Sequence, residues 1–193
     1  MDVDLSHIPL MLDVSGDPET PVPTAMPGEQ CACCGLWTQK LWQGARSGFT
    51  ASHAVCTLCY LAGHLDSPTA AHGVLAYLPG MAMTDVHHLQ RRALIAILGG
   101  TRTQRAQGKR VLLWLARHGR EVEQAWGTTR AGEFAMAFQR LPPHKRSTFR
   151  NPPGRLCPDP AGGHVRGSVA ITAHRQNGRG GTFLPQLGHL HTE

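Results

Sequence analysis

The sequence predicts an α+β fold: a small cysteine-anchored ββα element with a hairpin, packed on a helical part and followed by a disordered C-terminal tail. Three observations carry that reading. Two Cys-x-x-Cys pairs, Cys31/Cys34 and Cys56/Cys59, bracket a stretch rich in aromatic residues. Between residues 84 and 141 apolar side chains recur at helical spacing. Beyond Phe149, glycine, proline and arginine displace nearly every residue that could pack.

The chain divides accordingly into an extended acidic segment (1–30), an α+β domain (31–150) and a largely disordered Pro/Gly/Arg tail (151–193). Within the first segment, residues 8–14 suit a short strand that packs on the body. Residues 15–29, with four prolines, read as a loop or linker.

The cysteine pairs come next. Each Cys-x-x-Cys turn presents two sulfurs about 4 Å apart, and two such turns face to face make a tetrahedral four-thiolate zinc site. Cys31, Cys34, Cys56 and Cys59 are the expected ligands. Gly35 follows the first pair, where a knuckle turn needs a residue free to take positive φ. Cys33 is the spectator, although Cys31/Cys33 or Cys33/Cys34 pairing stays open. The competing readings are a disulfide pair or four unrelated buried thiols. The N-terminus shows no secretory signal, which argues against disulfides and for a cytoplasmic chain.

Between the pairs, residues 36–42 and 48–51 suit a hairpin across a turn at 44–47. Trp37, Trp42 and Phe49 are placed to shield the metal by packing. A helix is expected from Leu58 and is interrupted at Ser67 and Pro68. Residues 73–79 read as a strand closed by Pro79. Thr84 or Asp85 is expected to cap a helix through Leu98, with Val86, Leu89, Ala93, Ala96 and Ile97 on one face and Gly99-Gly100 as its end. A second amphipathic helix runs to His118 from a start near Thr103, and residues 121–126 extend it. A third, capped by Thr128 or Thr129, covers 131–141 until Pro142 and Pro143 stop it. In the tail only Val169, Ala170 and Ile171 form a packable run.

Charge is distributed unevenly. Residues 1–39 hold six acids and no Lys or Arg, whereas residues 101–180 hold fifteen Lys or Arg against four acids. The second half therefore suits an anionic partner, or simply presents a solvated basic face. The apolar run at residues 111–116, which no other exceeds, is far too short to span a bilayer, so no direct membrane insertion is expected.

Taken in order, the parts resemble the DotN/IcmJ family of bacterial type IV secretion and conjugation proteins. The resemblance covers about residues 8–150. It rests on Pro9, Leu10, Met11, Leu12, Asp13 and Val14; on the two cysteine pairs with Gly35; and on Leu75, Ala76, Tyr77, Leu78 and Pro79 leading into a helix with Leu89, Leu94 and Ile97. Phe138, Gln139, Arg140, Leu141 and Pro142 follow, with Lys145 and Phe149 behind. The segment between the cysteine pairs is short for the family, and the tail has no counterpart there. The resemblance implies an HNH-like zinc domain without nuclease catalysis, in a subunit that docks on the C-terminal region of the inner-membrane coupling ATPase. It carries over only the four cysteines, as metal ligands.

An HNH nuclease needs a histidine on the first hairpin as base, an Asn before the second cysteine pair and a histidine after it for the catalytic ion. Residues 36–43 contain no histidine, residues 50–55 contain no Asn, and Tyr60 follows Cys59. His53 and His64 lack a partner carboxylate or Asn at suitable spacing. No phosphate-binding loop, nucleophile elbow or His-Glu-x-x-His motif occurs. His87 and His88 are adjacent, so they point about 100° apart on a helix; a surface role is expected for both. No catalytic residue is expected.

The expected function is a non-enzymatic, zinc-stabilised adaptor of a coupling complex, binding the coupling ATPase and other complex subunits at the inner face of the inner membrane. Trp114, Trp126, Phe134 and Phe138 are candidates to line a partner groove, or to belong to the core. The alternative is a nucleic-acid-binding protein using Arg102, Arg105, Lys109, Arg110, Arg117 and Arg120; an atypical nuclease ranks behind it.

Overall fold

The computed structural model describes residues 12–14, 23–44, 53–142, Lys145 and the strand at 167–173. The elements are β1 (Trp42–Gly44), β2 (His53–Val55), α1 (Thr57–Gly63), α2 (Pro68–Ala71), β3 (Gly73–Pro79), α3 (Met83–Gly99), α4 (Arg102–Arg117), α5 (Gly119–Trp126), α6 (Ala131–Arg140) and β4 (Gly167–Ala173). The fold is mixed α+β, with a β-hairpin, helices and a cluster of four cysteines.

β1 and β2 pair antiparallel, with Trp42 opposite Val55 and Gly44 opposite His53. The hairpin therefore sits later in the chain than its aromatic pattern predicts. Residues 36–41 pair with the preceding segment instead. Met26 N donates to Leu41 O at 3.0 Å, Gln43 N to Thr24 O at 2.8 Å and Thr38 N to Glu29 O at 2.8 Å. Residues 24–29, expected to be linker, thus form with Gln30 a third run along β1. Its one proline, Pro27, is tolerated because this run lies at the edge of the ribbon, where a missing N–H costs no ladder bond. Phe49 and the 45–47 part of the expected turn lie outside the described residues.

The expected strand at 8–14 is described only from Leu12. Residues 12–14 are not a strand, yet they are tied in at both sides. Asp13 N donates to Ala62 O, Leu65 N donates to Asp13 O, each at 3.0 Å, and Leu12 and Val14 are buried.

β3 runs from Gly73 to Pro79, as its apolar run and terminal proline predict. On one edge it pairs antiparallel with β4, Leu75 opposite Ile171 and Tyr77 opposite Val169. The packable run of the tail is thus part of a strand. The other residues of 151–193 lie outside the described residues. The second edge of β3 is covered by helix ends: Leu75 N donates to Thr129 O at 2.7 Å and Tyr77 N to His118 O at 3.0 Å.

α3 and α4 form a helical hairpin across Gly100. α3 begins one residue before the expected cap, with Ala82 at the N-cap and no side-chain bond. Packing of Met83 and Val86 in the core decides that start, and capping propensity does not. α4 begins with a capping box in which Thr101 and Gln104 bond each other's backbone N–H. Near the crossing of the two helices stands Gly108, where a Cβ would come within 2.6 Å of Ala93 O. α6 also starts without a side-chain cap. Thr128 instead bonds the Glu133 carboxylate and accepts from Arg130 N.

Three buried clusters follow from these faces. The largest joins Leu12, Leu65, Leu75, Val122, Phe134 and Phe138. The second surrounds the thiols with Leu41, Val55 and Tyr60. The third holds Ala76, Leu78, Val86 and Leu115 between β3, α3 and α4. Among the described residues no helix is long and apolar enough to cross a membrane.

Candidate metal centre

The first cysteine pair occupies the turn that joins residues 24–30 to 36–43. Gly35 N donates to Cys31 O at 2.9 Å and Cys31 N to Leu36 O at 2.9 Å, which closes the knuckle. Gly35 has φ +69°, the left-handed conformation that the spacing requires of it. The second pair stands at the start of α1. Cys56 is its N-cap and Cys59 lies in its first turn, so both sulfurs face the positive end of the helix dipole, which favours thiolate. β2 delivers Cys56 to this position, and Ala32 N donates to Ala54 O at 2.8 Å, which ties the knuckle to β2.

The Sγ atoms of Cys31, Cys34, Cys56 and Cys59 all lie within 4.8 Å of one another, an arrangement that can hold a metal ion. The sulfurs of Cys34 and Cys56 are 3.6 Å apart. A tetrahedral ion with sulfurs at about 2.3 Å needs sulfur–sulfur edges of about 3.8 Å, so the donor set fits. Cys56 N donates to the Cys31 sulfur at 3.2 Å, the kind of backbone bond that orients and stabilises a ligand thiolate. None of the five described cysteines forms a disulfide, which removes the disulfide reading for them.

Electrostatics within the cluster favours a cation. Hydrogen bonds with Cys33, Cys34, Cys56 and Cys59 hold the Cys31 thiol below its ordinary range. The same sharing, first of all with Cys31, pushes the Cys59 thiol up. Four thiols this close cannot all ionise on their own, and a divalent ion at their centre reverses that. Cys33 is buried beside them, outside the four-sulfur group.

Two histidines from α3 complete the surroundings, and both correct the expected surface role. His87 is buried, with Nδ1 3.6 Å from the Cys59 sulfur. Burial, with the charge of Arg91 next, pushes its imidazole down to about 4. His88 Nε2 lies 2.8 Å from Cys34 O. Adjacent positions on a helix diverge, and here the divergence lets one ring reach each cysteine pair. Only the direction of α3 relative to the knuckle makes this happen, so spacing held no signal of it.

The aromatic shield is partly different from the expected one. Trp42 is half-buried, bonds Thr57 Oγ1 through Nε1 at 3.0 Å and tilts against Tyr60. Trp37, in an isolated bridge with Gln30, is 69% exposed and takes no part in the thiol cluster. His64 is buried, stacked on the Tyr60 ring at 4.0 Å, with Nδ1 2.8 Å from Tyr60 O. His53 opens β2 opposite Gly44.

The other sequence candidates separate by burial. Phe134 and Phe138 belong to the core, and Trp126 packs on Phe134 edge-to-face at 5.1 Å. Trp114 is exposed and packs its ring on His118. These four do not form one groove. Arg102, Arg105, Lys109, Arg110 and Arg117 are all exposed on α4, with Arg120 exposed at the start of α5. A scan against protein-family models finds no match for this chain, and a search of curated proteins finds none either.

Proposed function

We propose that this chain is a non-enzymatic, zinc-stabilised adaptor of a type IV secretion or conjugation coupling complex, docking on the C-terminal region of the coupling ATPase. The observation that carries the non-catalytic part is the burial of four mutually adjacent thiols. Such a set saturates a tetrahedral ion and leaves no position at which water is activated. Zinc is the ion that four thiolates in tetrahedral reach favour among those of neutral cytoplasm. When bound, it supplies folding energy: it ties the knuckle to the start of α1, and α3 seats its two histidines against both.

Support for the secretion assignment is the resemblance to the DotN/IcmJ family and the way its segments meet. Leu75 of β3 and Phe138 of α6, from the two most specific motifs, share one buried cluster with Leu12 of the first motif. The adaptor would act in the cytoplasm, held at the inner face of the inner membrane through the ATPase.

The test is affinity capture of the full chain from its native cells, with identification of bound proteins and metal analysis of the same eluate. Recovery of the coupling ATPase with about one zinc per chain is the expected result. Recovery of nucleic acid or replication proteins with no secretion component overturns the adaptor reading.

One observation favours a second reading, a nucleic-acid-binding protein: the five cations of α4 are all exposed. Duplex binding that falls steeply between low and moderate salt supports it, because each neutralised phosphate releases counterions. Little binding at either salt supports the adaptor.

A further inference from the structure

We propose that the outward face of α4 is the docking surface for an acidic amphipathic segment of a partner protein. This deepens the adaptor reading by naming the face and the chemistry that occupies it. α4 carries Arg102, Arg105, Lys109, Arg110 and Arg117 and contains no Asp or Glu. Among the described residues the one ion pair is Arg130 with Glu133, so no described carboxylate neutralises α4.

At the N-terminal end of α4 the placement opposes the helix's own preference. Arg102 and Arg105 occupy the first turn, where the positive end of the dipole favours acids and disfavours cations. A local rule broken on an exposed surface that no described residue covers points to an external partner. Only Gly108 and Leu115 of α4 are buried, both on its inner side, so the outer side has no role in the core.

The face is not purely electrostatic. Arg102, Ala106, Lys109, Leu113 and Arg117 follow one another at four- and three-residue steps, one stripe of a helix, with Arg110 beside it. Leu113 sits within this stripe and is 57% exposed. A phosphate backbone has nothing apolar to set against that leucine. A helix bearing glutamates around one or two leucines matches both the charge and the apolar centre. Four of the five cations are arginine, whose fork pairs carboxylates in bidentate fashion and which is enriched at protein interfaces.

The test uses the full zinc-loaded chain and three fluorescent probes: a designed Glu/Leu amphipathic peptide, a scrambled peptide of identical composition, and a mixed-sequence DNA duplex. The expected result is that the amphipathic peptide binds at least about tenfold more tightly than the scrambled one or the duplex at moderate salt. Lys109→Glu with Arg110→Glu, and separately Leu113→Ser, each weaken it about tenfold or more while the thermal melt is unchanged. If Leu113→Ala also folds normally and neither Leu113 variant loses affinity, or if duplex or scrambled peptide binds equally well, the proposal is overturned. The two readings fail separately. Capture of the coupling ATPase by the charge-reversed chain as well as by the wild type overturns this face and leaves the adaptor reading. Peptide binding with no ATPase in the native capture does the reverse.

Discussion

The Nδ1 atom of His87 lies 3.6 Å from the sulfur of Cys59, so the second turn of α3 forms a wall of the thiol cluster. The next residue, His88, reaches Cys34 O at 2.8 Å. One helix therefore contacts both halves of the metal centre, the knuckle and the start of α1. Any displacement of α3 is felt by thiols of both pairs, which couples the helical hairpin to an ion held there.

His87→Ala is expected to leave the chain folded and to speed zinc loss to a chelator about tenfold or more, as removal of groups around metal ligands does elsewhere. His87→Asn, which restores a polar atom near the Cys59 sulfur, should recover part of the loss. The check is the rate of zinc transfer to a colorimetric chelator. An unchanged rate in His87→Ala would sink the assignment.

Cysteine substitutions should divide in two. Cys31→Ser, Cys34→Ser, Cys56→Ser and Cys59→Ser each lose zinc stoichiometry and melt far below the wild type, because metal binding is folding energy in such a domain. Cys33→Ser keeps one zinc per chain and costs only about 1–3 kcal/mol for a buried hydroxyl. Elemental analysis with thermal melts separates the cases. Full zinc content in Cys56→Ser would show that the ligand set is wrong.

Acid should strip the ion. The ligands bind metal as thiolates, so protons compete, and metal binding releases them. Stability of the zinc-loaded chain should fall as pH drops from neutral, with the melting temperature converging on that of chelator-treated protein. Parallel melts across pH with and without chelator measure this. A pH-independent gap between the two would contradict thiolate ligation.

Gly108→Ala pits two effects against each other. In an exposed helix the change stabilises by about 1 kcal/mol through propensity. Here the new Cβ would lie 2.6 Å from Ala93 O and 3.0 Å from Ile97, so α3 and α4 must separate. Overpacking of that kind costs about 1–3 kcal/mol, and a net loss is expected. Urea denaturation gives the sign; a stabilised variant would mean that the two helices do not cross there.

By itself the sequence determined what local geometry dictates. The Cys-x-x-Cys spacing and Gly35 specify a knuckle because chain stereochemistry leaves few ways to present two sulfurs together. The apolar run ending at Pro79 and the periodic stretch after it specify β3 and the helices, since one face must be buried. The tertiary structure alone decided the rest. Residues 24–30 joined the ribbon rather than forming a linker, because the edge of β1 offered unpaired backbone groups. β3 found its partner in β4 far along the chain, a match that no local pattern encodes. Trp37 is exposed while Trp42 packs against the thiol cluster, a choice made by how the segments pair and not by the aromatic pattern. His87 reached Cys59 for the same kind of reason: burial is a property of packed elements, and neighbours in space need not be neighbours in sequence.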